Sequence, residues 1–179
     1  MTINVKNVTY SDFRQNLLKW ILEKKTFSTP IRDVGWYGCP TYKGSTMHSE
    51  IEEGEDGAYR YMVYSYKTVI LDIFMEKEKM VTATIRMEHF SNTTAKMQGY
   101  CAYVLRQLDK SLGRIPLIQG VRGGLYDRHE TLQVLNGRWY TLIYVSKYGI
   151  RQKSRWVMLD DGADAFKGGE VTEEWFSVA

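Results

Sequence analysis

Chemistry in this 179-residue chain has to come from few residues. The three histidines, His48, His89 and His129, are scattered, and no Cys or His pair has the spacing of metal ligands. Asp72, Glu76 and Glu78 invite comparison with metal-dependent nucleases, which place carboxylates around a divalent cation. Asp72 and Glu76 share a strand face only if the strand runs unbroken into the turn, and no Glu-x-Lys follows. Asp127-Arg128-His129-Glu130 sets acids beside a base in a loop, but such a tetrapeptide is common. Gly120, Gly123 and Gly124 form neither a Walker loop nor a dinucleotide fingerprint. The reading is therefore of a chain with no catalytic set, no metal centre and no cofactor.

Binding residues are more plentiful. Ser91-Asn92-Thr93-Thr94-Ala95-Lys96 leads into a helical stretch. Its free backbone N–H groups, with Ser91, Thr93, Thr94 and Lys96, could hold a phosphate or carboxylate, or Asn92 or Thr93 could simply cap the helix. Arg138, Trp139, Lys147, Tyr148, Arg151, Lys153, Arg155 and Trp156 interleave cations with flat rings. A nucleic-acid groove needs that mixture, charge for phosphates and rings for bases, although an ordinary hairpin could carry it too.

Charge is segregated beneath the net value of +3. Glu50, Glu52, Glu53, Glu55 and Asp56 form one acidic block without a base, and residues 160–174 form another with six carboxylates and Lys167. Each block carries −5, which leaves +13 on the remainder. A basic body with two acidic patches fits a nucleic-acid partner, or a basic protein groove that normally holds nucleic acid. Two solvated loops would give the same pattern. Cys39 and Cys101 are too few for a disulfide framework and read as free thiols. No apolar run reaches the length of a membrane span and the first residues lack a signal-peptide core, so no membrane partner is expected and the chain is placed in a bacterial cytoplasm.

The elements that would position these residues read as an α+β fold: a mainly antiparallel sheet with two packed helices and a C-terminal β-hairpin extension. The chain reads as a single domain over 1–179, with a core at 58–112, a long loop at 26–57, a hairpin region at 131–159 and an acidic tail at 160–179. Thr9 or Ser11 can cap a helix running to about Lys25, with Phe13, Leu17, Trp20, Ile21 and Lys24 at helical spacing. Residues 26–57 are punctuated by glycine and proline and read as irregular, with Trp36 and Tyr42 bounding an aromatic loop around Cys39. Strands are expected over 64–75, with 68–75 as a central strand, and over 80–88, where Val81, Ala83, Ile85 and Met87 alternate with Thr82, Thr84, Arg86 and Glu88. A helix over 93–112 presents Met97, Cys101, Val104, Leu105, Leu108 and Leu112 on one face, so Cys101 reads as a core residue. Asn136-Gly137 marks a two-residue hairpin turn, and residues 147–153 read as a link to a last strand at 154–159.

Ser65-Tyr66-Lys67-Thr68 and Phe90-Ser91-Asn92-Thr93-Thr94-Ala95-Lys96 carry a resemblance. The stretch 64–112 resembles a family of uncharacterised phage and plasmid domains of Gram-positive bacteria. In that family a strand with a Ser-Tyr-x-Thr core and a hairpin precede Tyr-Ser-x-Thr-Thr-x-Lys and a helix. Phe90 stands in place of the usual Tyr, and Met97 where a His commonly follows. The resemblance covers about a third of the chain and implies a mobile-element origin, with no activity to transfer. By analogy, the expected function is a non-enzymatic protein that binds and inhibits a nucleic-acid-targeting host defence system, such as an anti-CRISPR inhibitor of a type II effector nuclease. Its partner would be that nuclease or its guide complex. The alternatives are an accessory protein of a phage or plasmid that binds DNA or RNA directly and, behind it, a metal-dependent nuclease at Asp72. Oligomeric state is not legible.

Overall fold

The computed structural model describes residues 2–34, 42–87, 92–113, 118–119, 125–126, 131–147 and 150–158, with side chains over 2–32, 43–87, 92–113 and 131–140. The chain divides into two compact units, residues 1–80 and 81–179. The fold is α+β, with two helices and predominantly antiparallel strands.

The first unit opens with β1 (Asn4–Val5) and α1 (Tyr10–Leu22). Thr9 starts the helix through a capping box. The Asp12 N–H donates to Thr9 Oγ1, and the Thr9 N–H donates back to the Asp12 carboxylate. The Thr9 N–H and, after it, the Thr9 hydroxyl donate to the Asp12 carboxylate and hold it below the usual aspartate range. Phe13, Leu17, Trp20 and Ile21 are buried as their spacing requires. Lys24 does not extend that stripe: the helix ends at Leu22, and Lys24 reverses the chain at φ 52°.

Four strands follow where an irregular loop was expected. β2 (Thr26–Phe27) pairs in parallel with β1, β3 (Ile31–Val34) pairs with β4 (Tyr42–Ser45), and β5 (Met47–Glu53) pairs along its length with β6 (Tyr59–Ser65). Pro30, Gly54 and Gly57 lie between strands, whereas Gly44 is taken into β4 opposite Arg32, so backbone pairing decides the outcome. Residues 35–41, with Trp36 and Cys39, lie outside the described residues.

β7 (Thr68–Glu76) follows β6 after a tight turn at Tyr66-Lys67, with Tyr66 at φ 54°. The Ser65-Tyr66-Lys67-Thr68 motif is therefore a hairpin turn and not a strand core, and the stretch 64–75 is the end of one strand and all but the last residue of the next. Lys77 and Glu78, both left-handed at φ 49° and 63°, make a two-residue turn before β8 (Lys79–Arg86), which straddles the division between units.

Alternation along β5, β6 and β7 separates two faces. Met47, Ser49 and Ile51 lie in register with Ser65, Val63 and Tyr61, and Val63, Tyr61 and Tyr59 with Leu71, Ile73 and Met75. This is the core face. Phe27 reaches it from β2, its ring 5.4 Å from Phe13 and 5.1 Å from Trp20. Each large side chain fully buried here contributes roughly 1.5–3 kcal/mol. Two tyrosines fix the helix exit by their hydroxyls: Tyr59 donates to the Ile21 carbonyl at 2.7 Å and Tyr61 to that of Lys25 at 2.8 Å. Because Tyr61 donates outward, Ser49 supplies the proton in their 3.0 Å contact, and Ser49 Oγ in turn accepts the Phe27 N–H. Tyr59 and Tyr61 are thus core residues with satisfied hydroxyls.

The second unit holds α2 (Asn92–Leu108), β9 (Ile118–Gln119), β10 (Leu125–Tyr126), β11 (Thr131–Leu135), β12 (Arg138–Lys147) and β13 (Ile150–Met158). β8, β11, β12 and β13 pair antiparallel in that order, and β9 pairs with β10. Ala83, Ile85, Leu132, Val134 and Trp139 share one buried face, and α2 buries Met97, Cys101, Val104 and Leu105. Gln98 Nε2 donates to the Arg86 carbonyl, joining helix and strand. The helix ends at Leu108, one turn before the expected stop at Gly113, although Leu112 is still buried. Asn136 (φ 51°) and Gly137 (φ 71°) form the expected hairpin turn. Residues 150–153 are strand where a link was expected, since Ser146 pairs with Arg151 and Val145 with Lys153 across the β12–β13 ladder. Their polar run gives no alternation from which a strand could be read. Residues 159–179, with the second acidic block, lie outside the described residues.

Candidate functional site

β5 gathers the most chemistry on one surface of the first unit. Its sequence Met47-His48-Ser49-Glu50-Ile51-Glu52-Glu53 alternates, so burying Met47 and Ser49 turns His48, Glu50 and Glu52 to the opposite face. Register sets His48 beside Tyr64 and Glu52 beside Arg60, and the next strand adds Asp72 beside Met62.

His48 stacks flat on Tyr64, ring centroids 4.6 Å apart at 6°, and its Nε2 lies 3.7 Å from Glu50 Oε1. Burial lowers the imidazole pKa from 6.5, and Glu50 opposes that shift. The Tyr64 phenol is raised, first by burial and then by hydrogen bonding to Glu50. Arg60 Nε donates to Asp72 Oδ1 at 2.7 Å, and Nη2 donates to Oδ2, a bidentate pair that raises the guanidinium pKa. Arg60 Nη1 also lies 3.7 Å from Glu52. The forked hold on Asp72 leaves a poor ligand for a nuclease cation. Among the described residues, no group of three His, Cys, Asp or Glu side chains comes together to hold a metal ion.

Glu50, Glu52, Glu53, Glu55 and Asp56 are all exposed, with 55% of the Glu50 side chain and 66% of the Glu52 side chain open to solvent. The last two lie in a turn, Glu55–Gly57, where Asp56 adopts φ 53° and the Gly54 N–H donates to the Ala58 carbonyl. Strand and turn therefore hold five exposed carboxylates, Glu50 and Glu52 on the outer face of β5, Glu53 on the opposite face at its end, and Glu55 and Asp56 in the turn. Among the described residues, two cations lie near them: Arg60, forked on Asp72 but also 3.7 Å from Glu52, and Lys24, whose Nζ donates to the Gly57 carbonyl at 3.5 Å.

The outer edge of β5 is covered for half its length. The Thr29 N–H donates to the Met47 carbonyl, the Met47 N–H donates to Thr29 Oγ1, and Ser28 bridges His48. This pattern points the backbone groups of Met47, Ser49, Ile51 and Glu53 away from β6. Thr26 and Ser28 instead donate their N–H groups to the Ile3 and Val5 carbonyls of the β1 segment. Among the described residues, nothing pairs with the outward N–H and C=O of Ile51 and Glu53. A groove of about 610 Å³ opens here, between Asn4, Thr26 and Ser28 on one side and His48, Glu50 and Ile51 on the other.

Two of the other sequence candidates, Thr94 and Trp139, are buried. At the start of α2, Thr93 and Lys96 are exposed but Thr94 is buried, so the hydroxyl pair does not face one anion; Ser91 lies outside the described residues. Trp139 is core and not a stacking platform: it is 2% exposed, and its Nε1–H donates to the Gly113 carbonyl at 2.9 Å. Arg138 is exposed. The backbone places Lys147, Arg151, Lys153, Arg155 and Trp156 on the β12–β13 hairpin, while Tyr148 and the tetrapeptide Asp127-Arg128-His129-Glu130 lie outside the described residues. Cys101 is fully buried and burial pushes its thiol far up, which removes it as a nucleophile. The acidic block was legible as composition. Its arrangement on an edge strand, the His48–Tyr64 stack and the Arg60–Asp72 fork were not, although the alternation in residues 47–52 carries the signal.

Comparison of the chain with protein-family models, curated proteins and solved structures gives no match.

Proposed function

We propose that the chain is a non-enzymatic binding protein of a phage or mobile element. In this reading the acidic surface formed by Glu50, Glu52, Glu53, Glu55 and Asp56 engages a basic groove of a nucleic-acid-targeting host defence nuclease, and so blocks it. The observation that carries the reading is the exposure of five carboxylates on β5 and its turn, against which, among the described residues, Arg60 at Glu52 and Lys24 at Gly57 set only two cations. Carboxylates at strand spacing offer a basic groove the charge it normally receives from phosphates, and such complementarity directs encounter and partner choice. A type II CRISPR effector is the first target to test, in keeping with the phage and plasmid resemblance of residues 64–112. Pull-down with a guide-loaded effector, with DNA cleavage assayed alongside, should give a complex and reduced cleavage. No complex and undiminished cleavage would remove that target.

The second reading, direct nucleic-acid binding, draws on the β12–β13 hairpin, whose backbone carries Arg151, Lys153 and Arg155. It requires a salt-sensitive mobility shift that weakens when those three residues are replaced.

A further inference from the structure

We propose that the uncovered edge of β5 receives an extended, Lys/Arg-bearing segment of a partner protein as an added strand. The inference rests on the acidic-surface reading above and names the form in which a basic partner is bound. An edge strand presents unpaired backbone groups, and a peptide added there gains ladder hydrogen bonds from its main chain and selectivity from alternate side chains. Here the segment at 26–29 pairs β5 only as far as His48, then turns to β1. The outward N–H and C=O groups of Ile51 are left at the groove, which supplies room for the incoming chain, and those of Glu53 continue the same edge.

Alternation states what the partner must look like. Residues of the added strand on the outer face fall beside Glu50 and Glu52, where basic side chains are favoured across the strand pair. Residues on the other face fall beside Ile51, where a small apolar side chain suits the site. A second copy of the same edge would oppose Glu50 and Glu52 with like charges, so self-pairing is disfavoured.

The test uses the full chain and two blocked peptides of alternating arginine and valine, one with native amides and one N-methylated on the face that would pair. Binding is followed by calorimetry and by amide hydrogen exchange at Ile51 and Glu53. The native peptide should bind, slow exchange at both amides at least about tenfold, and weaken about tenfold against Glu50→Gln/Glu52→Gln, while the N-methylated peptide loses affinity to a similar extent. Equal binding of both peptides with unchanged exchange would overturn strand addition and leave the acidic-surface reading standing. No binding of either peptide would overturn strand addition and count against the acidic surface as well. Protection of Ile51 and Glu53 in the free chain, or its growth with protein concentration, would mean that the edge is already covered, and would also overturn the proposal.

Discussion

His48 is the described residue whose charge responds most directly to its neighbours near neutral pH. Burial disfavours its protonated form more than Glu50 favours it, so its folded pKa lies below 6.5. Between the folded value and 6.5 the unfolded chain binds more protons. The stability this residue allows is therefore full above 6.5 and falls as pH drops through that window. Urea unfolding in mildly acidic buffer should give a lower midpoint than at neutral pH, and His48→Gln should shrink the difference. An imidazole titration by NMR with a midpoint at or above 6.5 would contradict the assignment. Asp12 acts in the same direction at lower pH. Its carboxylate is depressed by Thr9, so its contribution is present above 3.8 and is lost as pH falls through the lower folded value.

Two turns of the same backbone class show what local sequence can and cannot reveal. Asn136-Gly137 was legible because asparagine and glycine tolerate positive φ at low cost. Lys77-Glu78, legible as a turn only from its charge between two strands, adopts the same left-handed pair with residues that do not favour positive φ, and Tyr66 is left-handed alone. Gly137 is further constrained by its surroundings, since a Cβ there would sit 2.5 Å from Ser111 Oγ, a hydroxyl that donates to Asp109. Gly137→Ala should destabilise the protein by more than about 1 kcal/mol through strain and contact together. Ser111→Ala added to it should recover only the contact part. Chemical denaturation of the two variants measures both terms, and full recovery would show that the positive φ costs nothing. The helices were legible from apolar spacing at Phe13, Leu17, Trp20 and Ile21 and at Met97, Cys101, Val104 and Leu105. β5 was not, because its exposed face is charged and its glycine-rich flanks read as loop. The site was hidden for the same reason: clustered carboxylates look alike on a loop or a strand until pairing with β6 fixes which way Glu50, Glu52 and Glu53 point.

At the scale of the molecule, the charge segregation acquires a definite place in the first unit, on a strand edge and the turn that follows. Charges on an exposed edge also discourage strand-to-strand aggregation, so the same residues that would select a basic partner restrain self-association. Among the described residues, no helix is long and apolar enough to cross a membrane. The central claim is that the carboxylates of β5 bind a basic protein surface, and the most direct test is one affinity comparison. The dissociation constant of the chain for a guide-loaded type II effector should be measured beside that of Glu50→Gln/Glu52→Gln/Glu53→Gln, all three exposed. Binding of the parent chain with weakening by about tenfold or more in the variant is the predicted result. Equal affinity of the two chains for the effector would contradict it.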